Sequence, residues 1–331
     1  MDKVSHRRIS SALHPLGGNI NNSVPLFTSL PPRLRGEAID PANSASLQTA
    51  LVETWHAAGY FPVSINTASE HERHPGLRAA IEALGVKSVT FNQAVPPGAG
   101  RSRGRHDHLC TLTEFLGAIH DYSPSGPVAI VNADIGLQVG ARANDIAEHT
   151  PAEFFMGQRL DVAELPKPGA AACGVMDIHG ADFLAFASEV IPSLCRLVPE
   201  NLRLALPWWD HYLPLALLAL GGRPRLIRPG ALWHVVHGDR WCMDTYVSLG
   251  LTAARQFQDS LGTLPESVAS RTWLRLFDDR FNPSAAWNGT DRLVRHAIKA
   301  SLAPSFLIRN RLAGLGGGNI AILLQAAATE S

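Results

Sequence analysis

Between residues 24 and 137, short apolar runs alternate with stretches of helical period, and this alternation constrains the fold more than any other feature. VPLFTSL (24–30) is an apolar run stopped by Pro31-Pro32, which predicts a strand ending in a loop. SASLQTALVETWHAA (44–58) places Leu47, Leu51, Val52 and Trp55 at helical spacing, with Gly59 as a stop. FPVSIN (61–66) predicts a second strand, HPGLRAAIEALG (74–85) a helix closed by glycine, and VKSVTFN (86–92) a third strand. A helix over about 109–121 follows, and PVAIVNADIGL (127–137) predicts the fourth strand. Such alternation predicts an α/β fold with a doubly wound, mostly parallel central sheet. Ligands of these sheets bind beyond the carboxyl ends of the strands. Here those ends carry Thr28, Ser29, Asn66, Asn92, Asn132 and Asp134.

The second half is less regular. EFFMGQRLDV (153–162) and GVMDIHGADFLAFA (174–187) predict strands, with a turn at His179-Gly180. A loop holding Pro207, Trp208, Trp209 and Asp210 opens a very apolar helix over 211–220, and RPRLIRPGALWHVVHGDRW (223–241) is strand-like with two histidines. Beyond 245 the pattern is helical and increasingly basic, as far as Pro304 and a glycine-rich end at 314–318. The expected organisation is a flexible segment over 1–23, one sheet-containing unit over 24–245 and a mainly helical C-terminal extension over 246–331.

Several function classes are disfavoured. Lys plus Arg and Asp plus Glu balance at 29 each, so no global field attracts nucleic acid. Cys110, Cys173, Cys195 and Cys242 form no C-x-x-C pair, which argues against a cysteine zinc site or a disulfide framework and for a reducing, cytoplasmic compartment. The N-terminus lacks an apolar signal core. The apolar runs LPLALLAL (213–220) and IAILL (320–324) fall short of the roughly 20 residues that span a bilayer. Membrane contact is expected only as peripheral attachment to the inner face, through Arg292, Arg295, Lys299, Arg309 and Arg311; a solvated helix face is the alternative.

The residues with chemical potential are few. Asp134 ends an apolar run, where a carboxylate either holds a divalent cation against a phosphate or caps the next turn together with Asn132. His234 and His237 are three apart, which places them on one face of a helix but on opposite faces of a strand. The β-branched surroundings favour a strand, so one histidine is the expected metal ligand, with Asp239 nearby. Trp208 and Trp209 precede Asp210 at a helix start, as an apolar wall beside a candidate base or simply as core beside a capping acid. Arg101, Arg103 and Arg105 form a basic loop suited to phosphate oxygens, and His106-Asp107-His108 is a weaker metal candidate.

The order FTSLPPR (27–33), VSIN with Glu70 (63–70), VNADI (131–135), GVMDIHGADFLAF (174–186), LPWWDHYLP (206–214) and H-x-x-H before Trp241 resembles bacterial glycosyltransferase-like proteins of the GT-A fold, of the family-2-like kind found in polysaccharide gene clusters. The likeness spans about 24–242. It implies a hexosyltransferase-like enzyme of polysaccharide biosynthesis, with a nucleotide-diphospho-sugar donor, foremost a UDP-sugar, and a glycan or lipid-linked acceptor. Asp134 would hold Mn²⁺ or Mg²⁺, although Asn132 stands where many members have a first aspartate. Thr28, Ser29, Leu30, Asn66 and Glu70 would line the nucleoside subsite, Arg105 the phosphates, and His234 or His237 would complete the metal shell. Asp210 would act as base, and Trp208 and Trp209 as acceptor walls. The alternatives are a nucleotidyltransferase of similar fold, against which stands the lack of a glycine loop after the first strand, and a non-catalytic nucleotide-sugar-binding protein.

Overall fold

The computed structural model describes residues 23–236 apart from 33, 35–40, 92–108, 139–140, 148–151, 158, 167–170, 177–180, 200–201, 205 and 228–229. In chain order the elements are β1 (Pro25–Thr28), α1 (Pro41–Ala57), β2 (Phe61–Thr67), α2 (Ala68–Arg73), α3 (Leu77–Ala83), β3 (Lys87–Phe91), α4 (Leu112–Tyr122), β4 (Pro127–Val131) and β5 (Ile135–Leu137). They continue with α5 (Ala143–Ala147), β6 (Glu153–Gly157), β7 (Arg159–Val162), β8 (Val175–Met176), β9 (Phe183–Ala187), α6 (Ile191–Leu197), α7 (Trp209–Ala219), β10 (Arg223–Leu226) and β11 (Leu232–Val235).

A seven-stranded sheet in the order β10-β6-β9-β4-β1-β2-β3 forms the centre. It is mostly parallel; among the described residues only β9 opposes its neighbours, β4 and β6. Both faces are covered, which is why β4 reads as an unbroken apolar run. Val128 and Ile130 face one cluster, with Phe115, Leu116 and Ile119 of α4 and Leu213 and Ala216 of α7. Ala129 and Val131 face the other, with Leu51 and Trp55 of α1 and Leu77 and Ile81 of α3. Each fully buried side chain of this size contributes about 1.5–3 kcal/mol, so the two faces together favour this strand order over any edge placement of β4. The helix starts are set locally as well. Capping boxes join Thr67 to Glu70 at α2 and Thr111 to Glu114 at α4.

The strand order positions the site. From β1 the chain steps outward through β2 to β3, then returns through α4 to β4 on the other flank of β1. The carboxyl ends of β1 and β4 therefore flank the point where the winding reverses, the place where open α/β sheets form their ligand crevice.

Two expectations need correction. PVAIVNADIGL is not one strand: β4 ends at Val131, Asn132–Asp134 turn, and β5 joins a second, four-stranded sheet in the order β5-β11-β7-β8. EFFMGQRLDV likewise divides between the two sheets, as β6 and β7. The reason lies in α1, which captures β5 through side chains: Trp55 Nε1 donates to the Ile135 carbonyl at 2.8 Å and Thr54 Oγ1 accepts from Leu137 N at 3.0 Å. Close packing then seals the junction. Any Cβ on Gly136 would overlap the Trp233 indole, and one on Gly157 would overlap Leu232, so glycine at both places admits β11. α2, α5 and α6 were not expected from the sequence. The segment beyond 236, including the expected helical extension, lies outside the described residues, as do Asn92, residues 101–108, His237, Asp239 and Trp241.

Candidate functional site

Three strands and one turn bring a polar ring together at the carboxyl end of β4. The turn Asn132-Ala133-Asp134 is held from both sides. Asn132 N donates to the Asp182 carbonyl at 3.0 Å, and Ile135 N donates to the Asn132 carbonyl at 3.2 Å. Asn132 Nδ2 donates to Asp182 Oδ1 at 2.6 Å. The other oxygen of Asp182 accepts from Arg159 Nη1 at 2.8 Å, and Arg159 Nε donates to Asp161 Oδ1 at 2.9 Å. That same Asp161 oxygen lies 3.0 Å from His234 Nδ1. His234 Nε2 lies 3.6 Å from Asp134 Oδ2, within ion-pair range, and this closes the ring on the turn where it began.

Burial makes these charges consequential. Asp182 is 2% exposed; burial pushes its carboxyl up to about 6, against the lowering effect of Arg159 and with the negative charges of Asp210 and Asp134 adding to the rise. Burial works against a charged His234, yet the carboxylates of Asp134 and Asp161 outweigh it and the imidazole is pushed up to about 9. Asp161 is partly buried, which acts to raise it, but His234 and Arg159 hold it below the ordinary carboxylate range. In the ligand-free site His234 therefore stands as an imidazolium between two carboxylates.

The expected nucleoside residues meet next to this ring. Asn66, fully buried, donates through Nδ2 to the Leu30 carbonyl at 3.0 Å and to Ser29 Oγ at 3.3 Å. Ser64 Oγ donates to Asn66 Oδ1 at 2.7 Å and accepts from Leu30 N at 2.9 Å. This network ties the exit of β1 to β2. Thr28 is buried at the end of β1, and its Oγ1 has no partner among the described residues. Glu70 is turned inward: its Oε2 accepts from Thr67 N at 2.8 Å in the capping box, and burial raises its carboxyl. It holds the start of α2.

Asp210 lies in the first turn of α7, half-buried, near enough to Asp182 for its charge to be felt there. The preceding Trp208 has φ of 88°, a left-handed conformation that costs a bulky residue about 1–3 kcal/mol and reorients the chain into α7. Trp208 and Trp209 are 3% and 2% exposed and belong to the core beneath α7. Of the two roles the sequence offered them, core and acceptor wall, the packing beneath α7 is the one the fold displays. His234 is on a strand, as its β-branched neighbours predict, while His237 and Arg105 fall outside the described residues.

Arg159, Asp161 and Asp182 were missed in the sequence. Each lies at a strand start or in a strand of mixed polarity, where an isolated charge reads as solvent-facing, and only closure of the ring reveals them. A weak signal existed for Asp182: it is an acid immediately before the apolar run FLAFA.

No family model matches this chain, and no curated protein matches it. Among solved structures it is similar to HddC from Yersinia pseudotuberculosis (8% identity, 52% of this chain and 79% of that one, TM-score 0.32). It is also similar to the inositol-1-phosphate CTP transferase of T. maritima (11% identity, 74% and 99%, TM-score 0.39). A third is a putative glucose-1-phosphate thymidylyltransferase from Bacillus anthracis in complex with a sucrose (12% identity, 75% and 99%, TM-score 0.36). Likenesses at these scores place no constraint on the chemistry of this chain.

Proposed function

We propose that the protein is a glycosyltransferase that moves a sugar from a nucleotide-diphospho-sugar, foremost a UDP-sugar, to a hydroxyl of a glycan or lipid-linked acceptor. One observation carries this reading: Asp134 and His234 face each other at the carboxyl end of β4, where the winding of the sheet reverses between β1 and β4. The Ser29–Leu30–Asn66 network lies one strand away, as a nucleoside subsite requires.

The donor set fits Mn²⁺ or Mg²⁺ of a particular kind. Among the described residues no group of three or more His, Cys, Asp or Glu side chains converges on a point, so a stand-alone metal cage is not supported. Asp134 Oδ2, and His234 Nε2 once the cation displaces its proton, would supply two donors, and a divalent cation that arrives with substrate phosphates needs no more from the protein. Bound there, the cation would neutralise charge building on the departing diphosphate. The protein's own residues supply the rest. The β1–β2 network orients the nucleoside, and the buried Asp182 holds the Asp134 turn through Asn132. Asp210, at the start of α7, takes the proton of the acceptor hydroxyl.

The test is donor hydrolysis, the slow side reaction of a transferase, measured with Mn²⁺ over UDP-, GDP-, TDP- and CMP-sugars. One donor should be consumed with release of its nucleotide. Asp210→Asn should leave donor binding intact and lower transfer to an added acceptor by about 10²–10⁴-fold. Pyrophosphate release from a nucleoside triphosphate and a sugar phosphate would instead identify a nucleotidyltransferase. Silence in both assays would leave a non-catalytic binding protein.

A further inference from the structure

We propose that Arg159 is a positioning residue that sets the Asp134 turn and the His234 ring in one mutual register across the two sheets. The inference deepens the nucleotide-sugar reading above and rests on it for the identity of the ligand, though not for the geometry.

Asp134 closes the turn between β4 of the central sheet and β5 of the small sheet, and the β5–β11 ladder pairs Ile135 with His234. That pairing brings the two backbones together but leaves the orientation of the Asp134 turn and of the His234 ring to side-chain contacts. Arg159, at the start of β7, reaches both. Its Nη1 holds Asp182, which grips the turn twice, through its other carboxylate oxygen on Asn132 Nδ2 and through its carbonyl on Asn132 N. Its Nε holds Asp161, whose oxygen meets His234 Nδ1 and so leaves Nε2 directed at Asp134. A planar guanidinium delivers two donors in a fixed fork, so the spacing of Asp182 and Asp161 is set by a rigid group; an ammonium is a point charge and cannot impose it.

Stability alone is a poor account of this arrangement. Buried ion pairs are commonly matched or exceeded by apolar packing of the same volume. A brace serving only the fold would not need one carboxylate on the site histidine and the other on the site turn.

The experiment compares Arg159→Lys with the wild type. Its readouts are Mn²⁺ affinity, from the electron paramagnetic resonance of free ion, and the ring ¹⁵N shifts of His234 in metal-free protein at one fixed pH. Arg159→Lys should fold, weaken Mn²⁺ about 10–100-fold, as loss of a ligand-orienting contact does elsewhere, and displace the His234 ring shifts. Arg159→Met should destabilise the fold by stranding Asp182, and Arg159→Met with Asp182→Asn should refold without restoring either readout. If the lysine variant fails to fold, this neutral pair decides in its place.

A folded variant with wild-type ring shifts overturns the proposal, whatever its Mn²⁺ affinity. So do displaced ring shifts at undiminished Mn²⁺ affinity. If the wild type binds no Mn²⁺ but the ring shifts still move, the positioning role stands and the nucleotide-sugar reading fails.

Discussion

His234 is the residue whose chemistry is most exposed to test. Its ordinary value is 6.5, and the two flanking carboxylates outweigh burial to raise it to about 9. The charged form is therefore held more tightly in the folded chain than in the unfolded one. Its contribution to stability is complete below about pH 6.5 and disappears as pH rises through about 9. Metal-free protein should lose on the order of 1–3 kcal/mol across that window. Urea titrations in chelator at a series of pH values measure this directly. His234→Gln should flatten the slope; an equal slope in that variant would place the titration elsewhere. Asp182 has the same sense in a lower range: raised to about 6, it favours folding most when protonated, and that part is lost as pH climbs from about 4 to 6. At this scale the sequence was legible where a residue breaks a pattern. Asp134 interrupts an apolar run and could be found, whereas Arg159 and Asp161 interrupt nothing. Glu70 shows the converse. Its capping-box spacing from Thr67 stands in the sequence as TxxE, and the structure shows that local role filled at α2.

At the scale of elements, the alternation of apolar runs located β1, β2, β3 and β4 and the helices α1, α3 and α4 between them. It could not show that the chain changes sheets after Val131, because a strand of period two reads the same whichever sheet it joins. That decision is made by contacts distant in sequence: Trp55 and Thr54 on β5, and Trp233 against Gly136. Gly136→Ala tests it. The added methyl meets the indole, so the junction must open, at a cost of about 1–3 kcal/mol and a lower Tm. Combined with Trp233→Leu, the loss should be smaller than the sum of the two single losses, since the clash has been removed. Simple additivity in a thermal scan would mean the two residues do not share the junction. The division of EFFMGQRLDV has the same origin, with Gly157 making room for Leu232.

For the whole molecule, the strand order matters more than any single side chain. It puts the exits of β1 and β4 side by side at the reversal of winding, and the small sheet then carries Asp161 and His234 over that same edge. Among the described residues no helix is long and apolar enough to cross a membrane, and the expected peripheral attachment through the basic C-terminal segment falls outside them. The α/β class with a mostly parallel sheet was readable from the first half of the chain; the antiparallel β9 and the second sheet were not, since both depend on pairing between distant segments. The central claim is that this edge binds a nucleoside diphosphate through a cation held by Asp134. Calorimetric titration of UDP, GDP and TDP, with and without Mn²⁺, tests it most directly. One nucleotide should bind only when Mn²⁺ is present, and Asp134→Ala should abolish that binding while leaving the fold intact. Binding of equal strength without Mn²⁺, or in the folded Asp134→Ala variant, would contradict it.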